Sequence, residues 1–150
     1  MTAAHPIAGS EMFHHILIPT DLSDRTIGTV DMARDVVRGA RARITLFHVI
    51  ETLSGADFKE FEAFYRELDD RAAKHLSSLA SRLAGSDLTL ATTTVYGRPA
   101  EEIVTFAVDN QVDLIMLASH KVDPSAPGRG WGTLSHKIGV LAPCAVLLVK

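Results

Sequence analysis

Apolar residues recur along this chain in two alternating rhythms. His14–Pro19 reads HHILIP, a short β-leaning run closed by proline, as expected of a buried strand. Ile27, Val30, Ala33, Val37 and Ala40 then recur at spacings of three and four, the apolar face of a helix. Ser23 or Asp24 is placed to accept from the free amides at its start, and Gly39 lies near its stop. Ile44–Ile50 (ITLFHVI) is almost continuously apolar, which predicts a strand covered on both faces. After Ser54-Gly55, the residues Phe58, Phe61, Phe64 or Tyr65, Leu68, Ala72, Leu76, Leu79 and Leu83 keep helical spacing as far as Gly85. The charges between them are read as that helix's solvated face.

Leu88–Tyr96 (LTLATTTVY) is β-branched but half polar, the mark of an edge strand. Gly97-Arg-Pro-Ala-Glu-Glu opens a helix, with Pro99 in its first turn and Glu101 and Glu102 near the positive end of its dipole. Asp113–Ala118 (DLIMLA) predicts a second fully covered strand. A Gly- and Pro-rich loop over 119–131, a helix over 132–141 and a strand over Cys144–Val149 complete the series. Strands alternating with helices impose parallel pairing and right-handed crossovers. The fold class is therefore α/β, a doubly wound open parallel sheet with helices on both faces. Residues 1–12 read as a loose tail and residues 13–150 as one domain.

Composition narrows the partners. The 150 residues are 47% apolar and 22% charged, values of an ordinary globular domain. Fifteen Lys and Arg against eighteen Asp and Glu leave a net charge of -3, without the basic stripe of a nucleic-acid binder or a polybasic membrane anchor. Cys144 is the single cysteine, so no disulfide staples the chain, and a reducing compartment is expected. The first residues lack a basic segment followed by an apolar one, and no run is long enough to span a bilayer. The expectation is a cytoplasmic protein with no membrane insertion.

A ligand of such a sheet belongs beyond the carboxyl ends of the strands, where strand order reverses. That places Pro19-Thr20-Asp21, Val49-Ile50-Glu51 and Leu117–Lys121 together. The loop after Lys121 carries Gly128, Gly130, Gly132 and Arg129, with Thr133 at a helix start. It reads either as an anion cradle of backbone amides or as a surface loop whose glycines only permit turns. It lacks the Walker pattern, since no Gly-Lys pair occurs, and G-x-S-x-G and H-E-x-x-H are absent too. Asp21 is read either as a contact to the polar part of a nucleoside or as a cap of the following helix. The seven histidines do not make a metal set: His14 and His15 point to opposite sheet faces, His48 reads as a hydrogen-bonded core residue, and no spacing completes a site. Cys144 reads as a small buried hydrophobe. No catalytic residue is assigned.

Three stretches in order, His15-Ile-Leu-Ile-Pro-Thr-Asp-Leu-Ser, Asp113-Leu-Ile-Met-Leu-Ala-Ser-His and Gly132-Thr-Leu-Ser-His-Lys-Ile-Gly-Val-Leu-Ala-Pro-Cys-Ala-Val-Leu-Leu-Val, resemble the universal stress protein (UspA-like) family. The resemblance covers residues 13–150. It implies five strands in the order 3-2-1-4-5, Rossmann-like and similar to the adenine-nucleotide α-hydrolases. It also implies a homodimer paired antiparallel through Ala145, Val146, Leu147, Leu148 and Val149, and a part in surviving stress. The nucleotide contacts it implies fall on Pro19, Thr20, Asp21, Val49, Leu117, Ala118, Lys121, Gly130, Gly132, Thr133 and Leu134. Among these, Asp21 stands at the adenosine-side aspartate and Val49 at the backbone adenine contact.

Some members of that family bind ATP through G-x2-G-x9-G-[ST], and others have lost the pattern. Here Ala118 stands at the first glycine, Lys121 at the second, and the spacer to Gly132 is one residue longer, while Gly132-Thr133 matches. Side chains at such positions obstruct a close backbone approach. Forfeiting two interactions worth about 1.4 kcal/mol each weakens binding roughly a hundredfold. Lys121 either blocks the phosphates or returns a charge interaction to them. The expected function is a non-catalytic dimeric stress-response module that binds nucleotide weakly or not at all and acts on a protein partner the sequence does not identify. The alternative is a regulatory switch that binds ATP or another adenine nucleotide and hydrolyses it slowly.

Overall fold

The computed structural model describes residues 12–38, 41–52, 54–55, 57–85, 87–119, 125 and 133–150. Along them run β1 (His15–Pro19), α1 (Arg25–Val36), β2 (Arg43–Glu51), α2 (Glu62–Ser81), β3 (Thr89–Gly97), α3 (Pro99–Asp109), β4 (Leu114–Ala118), α4 (Leu134–Leu141) and β5 (Ala145–Val149). The strands pair in parallel in the order β3-β2-β1-β4-β5. Order reverses at β1, whose Ile16 stands beside Ile44 on one side and Leu114 on the other.

Strand alternation divides the core between the two faces. Ile16, Ile18, Ile44, Leu46, Leu114 and Met116 point one way, onto Val30 and Ala33 of α1 and Leu76 and Leu79 of α2. Leu17, Phe47, Val49, Ile115 and Leu117 point the other way, onto Ile103 and Ala107 of α3 and Ile138 of α4. β1, β2 and β4 are buried on both faces, while β3 and β5 are half covered. The one polar intrusion into β1 is satisfied. His15 donates Nδ1–H to the Asn110 carbonyl at 3.0 Å, and its Nε2 meets the Thr45 hydroxyl at 2.8 Å.

Element boundaries depart from the periodicity where side chains make other bonds. The spacing that starts at Phe58 becomes helix only at Glu62, because residues 58–61 form a turn and Phe58 stacks on Tyr65 at 5.0 Å. α2 ends at Ser81, and the turn after it runs to Gly85, whose φ of +82° suits glycine. α1 begins after Asp24, yet neither Ser23 nor Asp24 accepts a capping bond through its side chain. The tail residues 1–11, together with Gly39 and Ala40, lie outside the described residues.

Gly97 closes β3 with φ +153°, a conformation that side-chain-bearing residues rarely adopt. A Cβ there would sit 2.6 Å from Glu102 Oε1, but that carboxylate can swing aside. The backbone strain cannot. Gly97→Ala is therefore expected to cost about 1–3 kcal/mol, and Glu102→Ala should not restore the loss. Urea denaturation of the single and double variants checks this; full rescue by the double variant would show that only the contact mattered.

Candidate functional site

A half-open cleft of about 670 Å³ lies over the carboxyl ends of β1, β2 and β4, a volume suited to a nucleotide-sized molecule. Pro19, Thr20, Asp21, Val49, Leu117, Ala118, Thr133 and Leu134 all line it. Lys121, Gly130 and Gly132 lie outside the described residues, as do His120, Gly128 and Arg129.

The turn from β1 into α1 is built by side chains bonding their own backbone. Thr20 Oγ1 accepts from the Leu22 amide at 3.0 Å and meets the Thr26 hydroxyl at 2.9 Å. Leu22 takes φ +64°, a left-handed conformation uncommon for leucine. Asp21 Oδ1 accepts from the Ser23 amide at 2.9 Å, and Oδ2 lies 3.6 Å from the Arg25 guanidinium. The aspartate thus braces a turn ahead of the helix. Partial burial acts to raise its pKa, but hydrogen bonding from Ser23, together with the Arg25 guanidinium, outweighs that and holds it below the usual aspartate value. A carboxyl lowered on folding stabilises above its unfolded pKa, and that contribution is lost as pH falls through the folded value. Asp21→Asn is expected to flatten the acid branch of stability below about pH 4. Urea midpoints between pH 2 and 6 test it, and an unchanged slope would refute it.

Beside this turn the sheet forks. The Arg43 amide donates to the His14 carbonyl and the Thr20 amide donates to Phe47, so odd-numbered residues of β2 face β1. The Thr89 amide donates to Ala42, so even-numbered residues face β3. Val49 is odd-numbered, and β1 has ended before reaching it. Its N–H and C=O point into the space above β1 with no hydrogen-bond partner among the described residues, although Val49 is only 9% exposed.

Several residues that line the cleft are not among those the sequence pattern singles out. His48 is half-buried rather than a core residue, lines the cleft, and donates Nδ1–H to the Thr20 carbonyl at 2.8 Å. Phe64, Leu68 and Arg71 of α2 form the far wall. Their i, i+4, i+7 spacing marks one helical stripe, a signal that could have been followed to the strand ends. On the opposite side Thr133 caps α4, its hydroxyl accepting weakly from the His136 amide at 3.5 Å.

Away from the cleft, Ala145–Val149 form the β5 edge, where Leu147 and Leu148 are exposed. Burial, with Asp113 nearby, pushes the Cys144 thiol up in pKa, the setting of an unreactive thiol. No three His, Cys, Asp or Glu side chains converge as metal ligands among the described residues, and no described helix is long and apolar enough to cross a membrane.

Comparison with known proteins bears on nearly all of the chain. The model of the Universal stress protein family matches residues 12–150. A universal stress protein of Thermus aquaticus is 32% identical over 146 residues, covering 93% of this chain and all of that one. The structure of universal stress protein UspA from Lactobacillus plantarum superimposes with a TM-score of 0.71 at 25% identity, covering 91% of this chain and 97% of that chain. A family member from Arabidopsis thaliana, solved with AMP bound, shares the fold with a TM-score of 0.64 at 15% identity over 91% of each chain.

Proposed function

The chain belongs to the universal stress protein family, and from that premise we propose that it is a dimeric, non-catalytic stress-response module. In this reading its cleft receives the adenosine part of a nucleotide and holds the phosphate tail weakly. The observation that carries the reading is the pair of unbonded groups on Val49. Buried backbone groups are rarely left without a partner, and here a donor and an acceptor of one residue face the same cavity. Adenine offers the complement, an acceptor at N1 beside a donor at N6, whereas guanine presents the reverse order on that edge. Asp21, on the neighbouring strand end, is placed to accept from ribose hydroxyls. The relative with AMP bound supports the same class of ligand for this fold.

Phosphate recognition is the weaker half. Thr133 and the amides at the start of α4 border the cleft, at the positive end of a helix dipole. That arrangement favours a second reading, a switch that binds ATP. Against it stand Ala118, which lines the cleft, and Lys121 in the altered sequence pattern.

Protein purified without added ligand should release little adenine nucleotide on denaturation. Calorimetry should show adenosine and AMP binding about as well as ATP, with Asp21→Ala abolishing all three. Tight ATP binding, hundredfold over AMP, would overturn the module and establish the switch. No heat with any adenine compound would overturn the nucleotide reading altogether.

A further inference from the structure

We propose that His48 is a positioning residue that ends the β1–β2 ladder one rung early and so keeps Val49 open to a ligand. The ladder itself defines what is missing. It begins with the Arg43 amide on the His14 carbonyl and finishes with the Thr20 amide on the Phe47 carbonyl. The next rung would run from the Val49 amide to the carbonyl of Thr20. That carbonyl instead accepts from His48 Nδ1 at 2.8 Å.

A carbonyl only accepts, so the proton must sit on Nδ1, and neutral His48 carries its lone pair on Nε2. The imidazole reaches Thr20 from the residue immediately before Val49. It satisfies an oxygen that would otherwise draw the two strand ends together. With the Thr20 carbonyl occupied, the turn through Leu22 can leave the sheet at its left-handed φ, and the Val49 N–H and C=O stay unpaired over the cleft. His48 is also among the residues that line the cavity. His48 is therefore the device by which the fork stays forked. The ligand half of this inference rests on the adenosine reading above; the backbone half does not.

Amide exchange at Val49, followed by NMR on the full chain, separates the two. Without ligand, the wild-type Val49 amide should exchange nearly as fast as an unbonded one. His48→Phe should let that amide bond Thr20 and slow its exchange about tenfold or more. His48→Asn, whose side-chain amide stands where Nδ1 does, should keep it fast. With AMP as the probe, His48→Phe should weaken binding at least about tenfold, the equivalent of one hydrogen bond or more, and His48→Asn should restore most of it. Nitrogen shifts of the wild-type imidazole give a readout that needs no variant: neutral His48 must carry its proton on Nδ1.

A neutral ring whose proton sits on Nε2 overturns the proposal, as does a Val49 amide that is already protected in the unliganded wild type. An unchanged Val49 amide in His48→Phe overturns it too. If AMP fails to bind the wild type while His48→Phe still protects Val49, the adenosine reading falls and the positioning role stands.

Discussion

Leu148→Lys is expected to turn a dimer into a monomer. β5 is an edge strand whose residues are all apolar, and Leu147 and Leu148 remain 36% and 39% exposed in the single chain. Such an edge is a template for pairing and has to be covered. In a two-fold dimer through this strand the substitution appears twice, so losing about 1.5 kcal/mol of burial per copy removes about 3 kcal/mol, more than a hundredfold in association. Lysines close to the axis would also repel each other. Leu148 suits the test better than Val146, which packs into the core beneath β5 and would report on folding as well. Sedimentation at micromolar concentration should give a wild-type dimer and a monomeric variant. A monomeric wild type would end the dimer proposal.

The second large effect concerns the strand end that leads toward α4. Replacing Ala118 and Lys121 together by glycine should raise ATP affinity by up to about a hundredfold, the return of two interactions at about 1.4 kcal/mol each. Ala118 is the last residue of β4 and lines the cleft, so its methyl group stands where a glycine would let backbone approach the ligand. Lys121→Gly alone separates the two roles open to that lysine. A gain means that it obstructs. A loss, mimicked in the parent protein by added salt, means that it binds phosphate. Calorimetry on the single and double variants decides between them.

The nine elements were legible because both rhythms are strong. ITLFHVI and DLIMLA are continuous apolar runs, and such runs occur in strands with helices on both sides. The threonines of LTLATTTVY announced an edge, and β3 is one. Strand order could not be read from periodicity and came from the family resemblance. The eight site candidates in the described residues converge on one cleft because the crossover rule already places strand ends together.

What escaped the sequence was direction and competition. Ser23, Asp24 and Asp21 all look like caps, yet the only one whose side chain bonds there is Asp21, and it braces the turn ahead of the helix rather than the helix itself, because the chain turns through a left-handed Leu22 before the helix begins. His48 looked like a core residue because its neighbours are buried. Its role depends on where β1 stops, and no pattern within β2 encodes that. Phe64, Leu68 and Arg71 share a stripe, but the sequence alone could not tell which end of α2 overhangs the strand ends.

The two edges of the sheet have opposite character, and in the proposed dimer this would limit how far the molecule can grow. β5 is apolar, whereas β3 carries Thr89, Thr92, Thr93 and Thr94 and runs beneath α2. Two copies joined at β5, five strands from each, would make one ten-stranded sheet bounded at both ends by β3. Each subunit then has a valency of one. The contact is self-complementary, so it closes on itself and leaves no sticky end for a third copy. Apolar residues at Thr92 and Thr94 would remove that asymmetry and allow the closed pair to polymerise into an open fibre.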